Sequence, residues 1–232
     1  MILKTKNMKL NYIFPTLSFL FFINGIFYIK GENTRETNIL GHWNYPDYSV
    51  QTIYVASEGE DVELFINGIS FGHGKQDLDS LYKFENVIFV PGDLNAVSYD
   101  GKGNELSRKT LRTAGTPAQL KLTVIENSEG FRANGEDTAI IQFEVTDFQG
   151  NRCGNDDRIV NFEIDGPADW IDYEKIDYNE ENSISKGKEI KAHNGTNTAF
   201  IRSTESAGEI KLTAKTKGLA PVEVTLCSTA VE

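Results

Sequence analysis

Beyond residue 40 the chain never sustains an apolar period of 3.6 residues; apolar and polar side chains alternate one by one, and turn signals cut the alternation at short intervals. That pattern restricts the fold to half-buried strands joined by tight turns. Residues 50–55 read as one strand and 62–66 as the next, followed at once by Asn67-Gly68 and a further alternating run over 69–71. A type I′ hairpin turn needs positive φ at both central residues, and Asn-Gly is the pair that supplies it most readily. The run 83–90 stops at Pro91-Gly92, 94–99 stops at Asp100-Gly101, and 106–113 closes the set. Strands so closely spaced predict a first β-sandwich over residues 41–113.

Ala114-Gly115-Thr116-Pro117 reads as a junction over 114–117, since Gly and Pro without apolar partners separate packed units. A second series follows at 120–124, 139–146, 159–164, 198–203, 209–216 and 222–227. Ile141, Phe143 and Val145 share one face there, and the series predicts a second sandwich over 117–229, of immunoglobulin-like size. Each unit is small, so packing between them bears on their stability. The interval 167–189 breaks the pattern, with Trp170, Tyr173 and Tyr178 among seven acids and no period. A long irregular loop on a compact unit is functional or loosely ordered.

Charge narrows the function classes. The chain of 232 residues has a formal charge of −11. Residues 1–31 hold Lys4, Lys6, Lys9 and Lys30 and no acid, so the remainder is more acidic still. An acidic body argues against nucleic acid and against docking on anionic lipid, both of which ask for clustered Lys and Arg. No charge interrupts 10–29, and the run is rich in Phe; a basic start before an apolar core is the pattern of a signal peptide or an uncleaved N-terminal anchor. Both send the body out of the cytoplasm, to the periplasm, the cell surface or the medium. Two cysteines and three histidines are too few for a structural zinc site, and neither a metal nor another cofactor is expected. Calcium in the acidic loop has no recognisable ligand spacing behind it.

Several segments carry more than fold class when taken in order. They are Gly41-His42-Trp43-Asn44-Tyr45-Pro46; Glu63-Leu64-Phe65-Ile66-Asn67-Gly68 with Ser70, Gly72 and Lys75; Pro91-Gly92-Asp93-Leu94 with Ala96-Val97-Ser98-Tyr99-Asp100; and Thr113-Ala114-Gly115-Thr116-Pro117-Ala118. As a set they resemble the C-terminal accessory region of bacterial glycoside hydrolase family 2 proteins of the β-galactosidase type. The following unit, on Phe143-Glu144-Val145-Thr146-Asp147 with Gly150-Asn151, Ile201-Arg202-Ser203-Thr204 and Ile210-Lys211-Leu212-Thr213-Ala214, resembles bacterial immunoglobulin-like domains of the invasin type. The resemblance covers about residues 39–228 and implies an all-β chain of two tandem immunoglobulin-like sandwiches. In that family these domains follow a catalytic (β/α)8 barrel, and nothing here resembles the barrel. The implied role is a non-catalytic accessory region of an exported carbohydrate-degrading system, in truncated or split form. A free-standing carbohydrate-binding module and a surface adhesion or spacer protein are the alternatives.

The candidate chemistry is sparse. Glycoside hydrolysis needs two carboxylates across a cleft, and neither Asn104-Glu105 nor Asn179-Glu180 sits in a segment that builds one. His42, His73 and His193 lie in separate loops without a nucleophile motif, so no catalytic residue is assigned. His42, Trp43, Asn44 and Tyr45 are the first candidates for function, as a structural anchor, a docking site for a separate barrel protein, or a sugar-stacking platform. Trp170, Tyr173 and Tyr178 form a second platform candidate, against the plainer reading of a loop with one aromatic tucked onto the sheet. Cys153 and Cys227 pair only if their Cα atoms come within reach, which is left open. Asn194-Gly195-Thr196 fits a glycosylation sequon but reads as a turn.

Overall fold

The computed structural model describes residues 36–78, 80–126, 130–171 and 189–231, and the backbone alone of 19–23 and 26–30. Those backbone segments are β1 (Phe19–Ile23) and β2 (Ile26–Lys30), paired antiparallel. The rest of the expected signal or anchor segment lies outside the described residues. Every other element described is also a strand. They are β3 (Asn38–Leu40), β4 (Val50–Ala56), β5 (Asp61–Ile66), β6 (Ile69–His73), β7 (Lys75–Leu78), β8 (Leu81–Ile88), β9 (Asp93–Tyr99) and β10 (Glu105–Arg112), then β11 (Gln119–Ile125), β12 (Thr138–Thr146), β13 (Ile159–Asp165), β14 (Ala168–Trp170), β15 (Glu189–Lys191), β16 (Thr196–Ser203), β17 (Gly208–Lys215) and β18 (Val222–Ser228).

Four antiparallel sheets of four strands hold β3 to β18, in the orders β3-β4-β8-β7, β10-β9-β5-β6, β11-β12-β16-β14 and β15-β13-β17-β18. The first two enclose one apolar core. Ile53 and Val55 of β4 and Tyr82 and Phe84 of β8 meet Val62 and Leu64 of β5 and Leu94 and Ala96 of β9 there. The other two enclose a second core, in which Ile141 and Phe143 of β12 and Ile201 of β16 meet Phe162 of β13 and Ile210 and Leu212 of β17. Alternation along each strand sends every second side chain inward, so the apolar residues find the core without any helix.

The hairpin turn forms as its sequence predicts. Asn67 and Gly68 have φ of 51° and 80°, and Ile66 pairs directly with Ile69. The Asn67 side chain also reaches the next turn, donating to Pro91 O at 3.0 Å and accepting from Asp93 N at 2.7 Å. It therefore holds two turns of one sheet end together. Four strands carry no warning in the sequence: β3, β7, β14 and β15 stand at sheet edges and are three or four residues long, too short to show a period of two.

Strand β8 departs from simple alternation. Gln51 pairs with Val87 but Ile53 pairs with Phe84, so the β8 side holds an extra residue opposite Thr52. Asn86, at φ 59°, takes the left-handed conformation at the bulge, which Asn tolerates better than most residues. Its effect is a change of face: Phe84, Val87 and Phe89 are buried, whereas Ile88 and Val90 face water.

Leu64 is wholly buried between the sheets of the first sandwich. Leu64→Ala is expected to cost about 2–5 kcal/mol, from lost apolar contact and the cavity left behind, read as a lower urea midpoint.

Candidate functional site

The segment 41–46 leaves β3 through a series of bends, and its consecutive side chains serve different bodies. Trp43 goes into its own core, 1% exposed. Its indole meets Phe89 edge-on at 4.9 Å and Tyr45 at 6.2 Å. Packed this way the indole faces are covered by protein, which is the anchor geometry and leaves no open face for a sugar ring. The indole Nε1 has no hydrogen-bond partner among the described residues. Tyr45 completes the group, stacked on His42 at 4.3 Å and edge-on to Phe89 at 5.9 Å.

His42 and Asn44 serve the junction. The Asn44 side-chain amide donates to Ala114 O at 3.0 Å and accepts from Ala114 N at 3.2 Å, as a strand neighbour would. The next residue, Gly115, is held from the opposite side, because its N–H donates to Asp147 Oδ2 of the second sandwich at 2.9 Å. The His42 imidazole lies against Gly154, where a Cβ would fall inside the ring, so only glycine allows the two units to approach this closely. Together Asn44, His42, Asp147 and Gly154 make a clasp around residues 114–115.

Electrostatics favour a closed clasp. Burial lowers the His42 pKa to about 4, with the Arg152 charge acting in the same direction and a hydrogen bond to the Asn194 side chain opposing them. The ring is therefore neutral near pH 7, as its acceptance of the Asn44 N–H at Nδ1 requires. Burial pushes the Asp147 carboxyl up, but hydrogen bonds from Gly115, Asn151 and Gln149 outweigh it and hold the group below the usual range. Cys153 donates from Sγ to Gly115 O at 3.7 Å, and burial, then the nearby Asp147 and Asp156 charges, push its thiol up to about 11.

None of this is acid–base machinery. A histidine neutral down to about pH 4 and a thiol that does not ionise near neutrality make no nucleophile–base pair. Glu105 is an exposed carboxylate paired with Arg108 at 2.9 Å, and Asn104 bonds Asp100 in its turn. His73 pairs with Asp61 at the surface, and His193 closes a tight turn with Thr196. Among the described residues no group of three or more metal-ligating side chains comes together. Cys153 is buried and Cys227 is exposed; both are free. Asn194-Gly195 forms a turn, at φ of 54° and 74°.

The second candidate platform is described in part. Trp170 ends β14, paired opposite Ile201, and its half-buried ring meets Phe162 at 5.9 Å. Tyr173, Tyr178 and the Asn179-Glu180 pair lie outside the described residues. What the sequence did not signal was the far side of the clasp. Asp147, Gly154 and Asn194 lie more than 100 residues from His42, and although Asp147 heads an Asp-Phe-Gln-Gly-Asn turn and Asn194 an Asn-Gly turn, neither motif signals a contact with His42 or the junction.

The clasp should weaken in acid. The His42 ring binds its proton near pH 6.5 in the unfolded chain and near pH 4 in the folded one, so between those values the unfolded state holds more protons. Stability falls as pH drops through that window, by on the order of 3 kcal/mol in all. Asp147 adds a further loss below the ordinary carboxylate range, as protonation removes an acceptor that its hydrogen bonds favoured. Urea midpoints between pH 7 and pH 4 should show the His42 slope, and His42→Gln should flatten it. Gly154→Ala should cost about 1–3 kcal/mol at neutral pH, since the imidazole has to move.

Residues 122–225 match the model of glycoside hydrolase family 2 C-terminal domain 5, and 49–107 match a domain of unknown function, DUF4982. A β-glucuronidase of Formosa agariphila is 35% identical over 199 residues, which are 85% of this chain and 20% of that protein. A β-galactosidase of Bacteroides ovatus is 29% identical over 204 residues, 85% of this chain and 23% of that protein. Among solved structures, a β-glucuronidase from glycoside hydrolase family 2 superposes with a TM-score of 0.65 at 33% identity, covering 84% of this chain and 20% of that one. A family 2 member from Bacteroides cellulosilyticus gives 0.60 at 30% identity, covering 82% and 24%. The chain thus spans about one-fifth of the length of the relatives it matches.

Proposed function

Because this chain corresponds to the C-terminal accessory region of glycoside hydrolase family 2 proteins, without their barrel in the matched part, we propose that it is a non-catalytic accessory module of an exported carbohydrate-degrading system, in truncated or split form. Its work is mechanical: it presents two sandwiches in one fixed pose to a separate catalytic (β/α)8 barrel. The observation that carries this reading is the clasp. His42 and Asn44, the polar members of the best candidate cluster, are committed to the second sandwich and the junction, and Trp43 to the core, so none is left for chemistry.

Carbohydrate binding is the second reading, and the observation favouring it is Trp170, a half-exposed indole at a sheet edge beside an aromatic and acidic segment. Adhesion through a protein partner is the third. Purified residues 36–231 are expected to release no aryl group from β-galactoside or β-glucuronide substrates above the buffer rate. On affinity gels containing plant and host glycans they are expected to run unretarded. Retardation abolished by Trp170→Ala would establish a binding module instead; Trp43→Ala is unsuited to that assay because it removes core. Intact mass of the exported protein tests the leader, since loss of about 25–31 residues marks a cleaved signal and a full-length mass an anchor.

A further inference from the structure

We propose that the outer face of sheet β3-β4-β8-β7, at Tyr48, Val50, Ile88 and Val90, is the seat of the catalytic barrel. This rests on the accessory reading and names the surface it would use. All four side chains are exposed, Tyr48 at 78% and Val50 at 61%, and Val50 stands directly opposite Ile88. The exposure is produced by the backbone. Uninterrupted alternation from Phe84 would carry residues 88 and 90 into the core. The bulge at Asn86 reverses the faces and sends Ile88 and Val90 out. Tyr48 holds a left-handed φ of 59°, disfavoured for a bulky side chain, while its ring stays in water. A bulge and a strained turn residue that both put apolar groups into solvent point to a surface that is covered in use.

The base of this face is stiff. Tyr48 N–H donates to Phe89 O at 3.1 Å, Phe89 N–H donates to Ser49 O at 2.8 Å, and the Phe89 ring beneath packs on Trp43 and Tyr45. Residues 48–57 and 86–92 hold no charged side chain, in a chain that is 25% charged. This apolar, rigid end of the face, rimmed on the same sheet by the Lys83–Glu85 ion pair, suits a protein surface better than a sugar, which asks for polar groups beside its stacking ring. The occupant follows from proportion: about four-fifths of each matched relative lies outside the matched part, so the remainder of the enzyme is the protein at hand to cover this face.

The test is a fusion in which residues 36–231 replace the matched region of the Formosa agariphila β-glucuronidase, with hydrogen exchange compared against 36–231 alone. Amides of 48–50 and 86–90 should exchange at least about tenfold more slowly in the fusion. Val50→Asp with Ile88→Asp should abolish that protection and separate the thermal unfolding into two transitions. Ile69→Asp, exposed on β6 of the opposite sheet, should do neither. Protection confined to another face would overturn the proposed seat and leave the accessory reading standing. Protection nowhere would defeat both. A dimer of the isolated chain in sedimentation velocity, dissolved by the double variant, would assign the face to a second copy and overturn the proposal.

Discussion

Two hydrogen bonds between the Asn44 amide and the Ala114 backbone tie the start of the first sandwich to its end. They close a loop of 70 residues and so fix the direction in which the chain leaves. The remaining junction contacts presuppose that direction. Gly115 reaches Asp147 only because Ala114 is already held, and His42 meets Gly154 only because the second sandwich is turned toward it. Small interfaces between domains in one chain ordinarily permit relative motion. Here the side chains of Asn44, Asp147 and Cys153 hold two linker residues, while His42 packs against Gly154 beside them.

The fold was readable where the physics is local. Asn67-Gly68 announces its hairpin because positive φ at two successive residues is a property of those residues alone. Alternation placed the long strands for the same reason. Strand β8 shows the limit: a reader counting by twos puts Ile88 with Phe84, and nothing near Asn86 announces the extra residue. Short edge strands such as β7, exposed throughout, leave no apolar trace to count.

The site was readable by half. Trp43 stands in a conspicuous motif, and its burial in the core is the anchor position, one of the three roles that motif allows. The polar neighbours proved more informative, because they report a contact between units that no local pattern encodes. Asp147 illustrates the point. Its side chain caps its own turn through Gln149 and Asn151, a familiar local habit, and with one remaining acceptor position it takes the Gly115 amide. A residue that looks wholly explained by its own turn is also the hinge pin of the molecule.

Cys153 lies within this joint, fully buried, its sulfur turned to the same Gly115 carbonyl and its proton firmly held. Such a thiol, which also belongs to the core of the second sandwich, cannot be alkylated until the joint or that core opens, because the reagent needs both access and a thiolate. The exposed Cys227 reacts on its own schedule. The molecule therefore carries its own clock: with Cys227 replaced by serine, the rate at which a maleimide consumes the remaining sulfur counts how often the joint and the core behind it open.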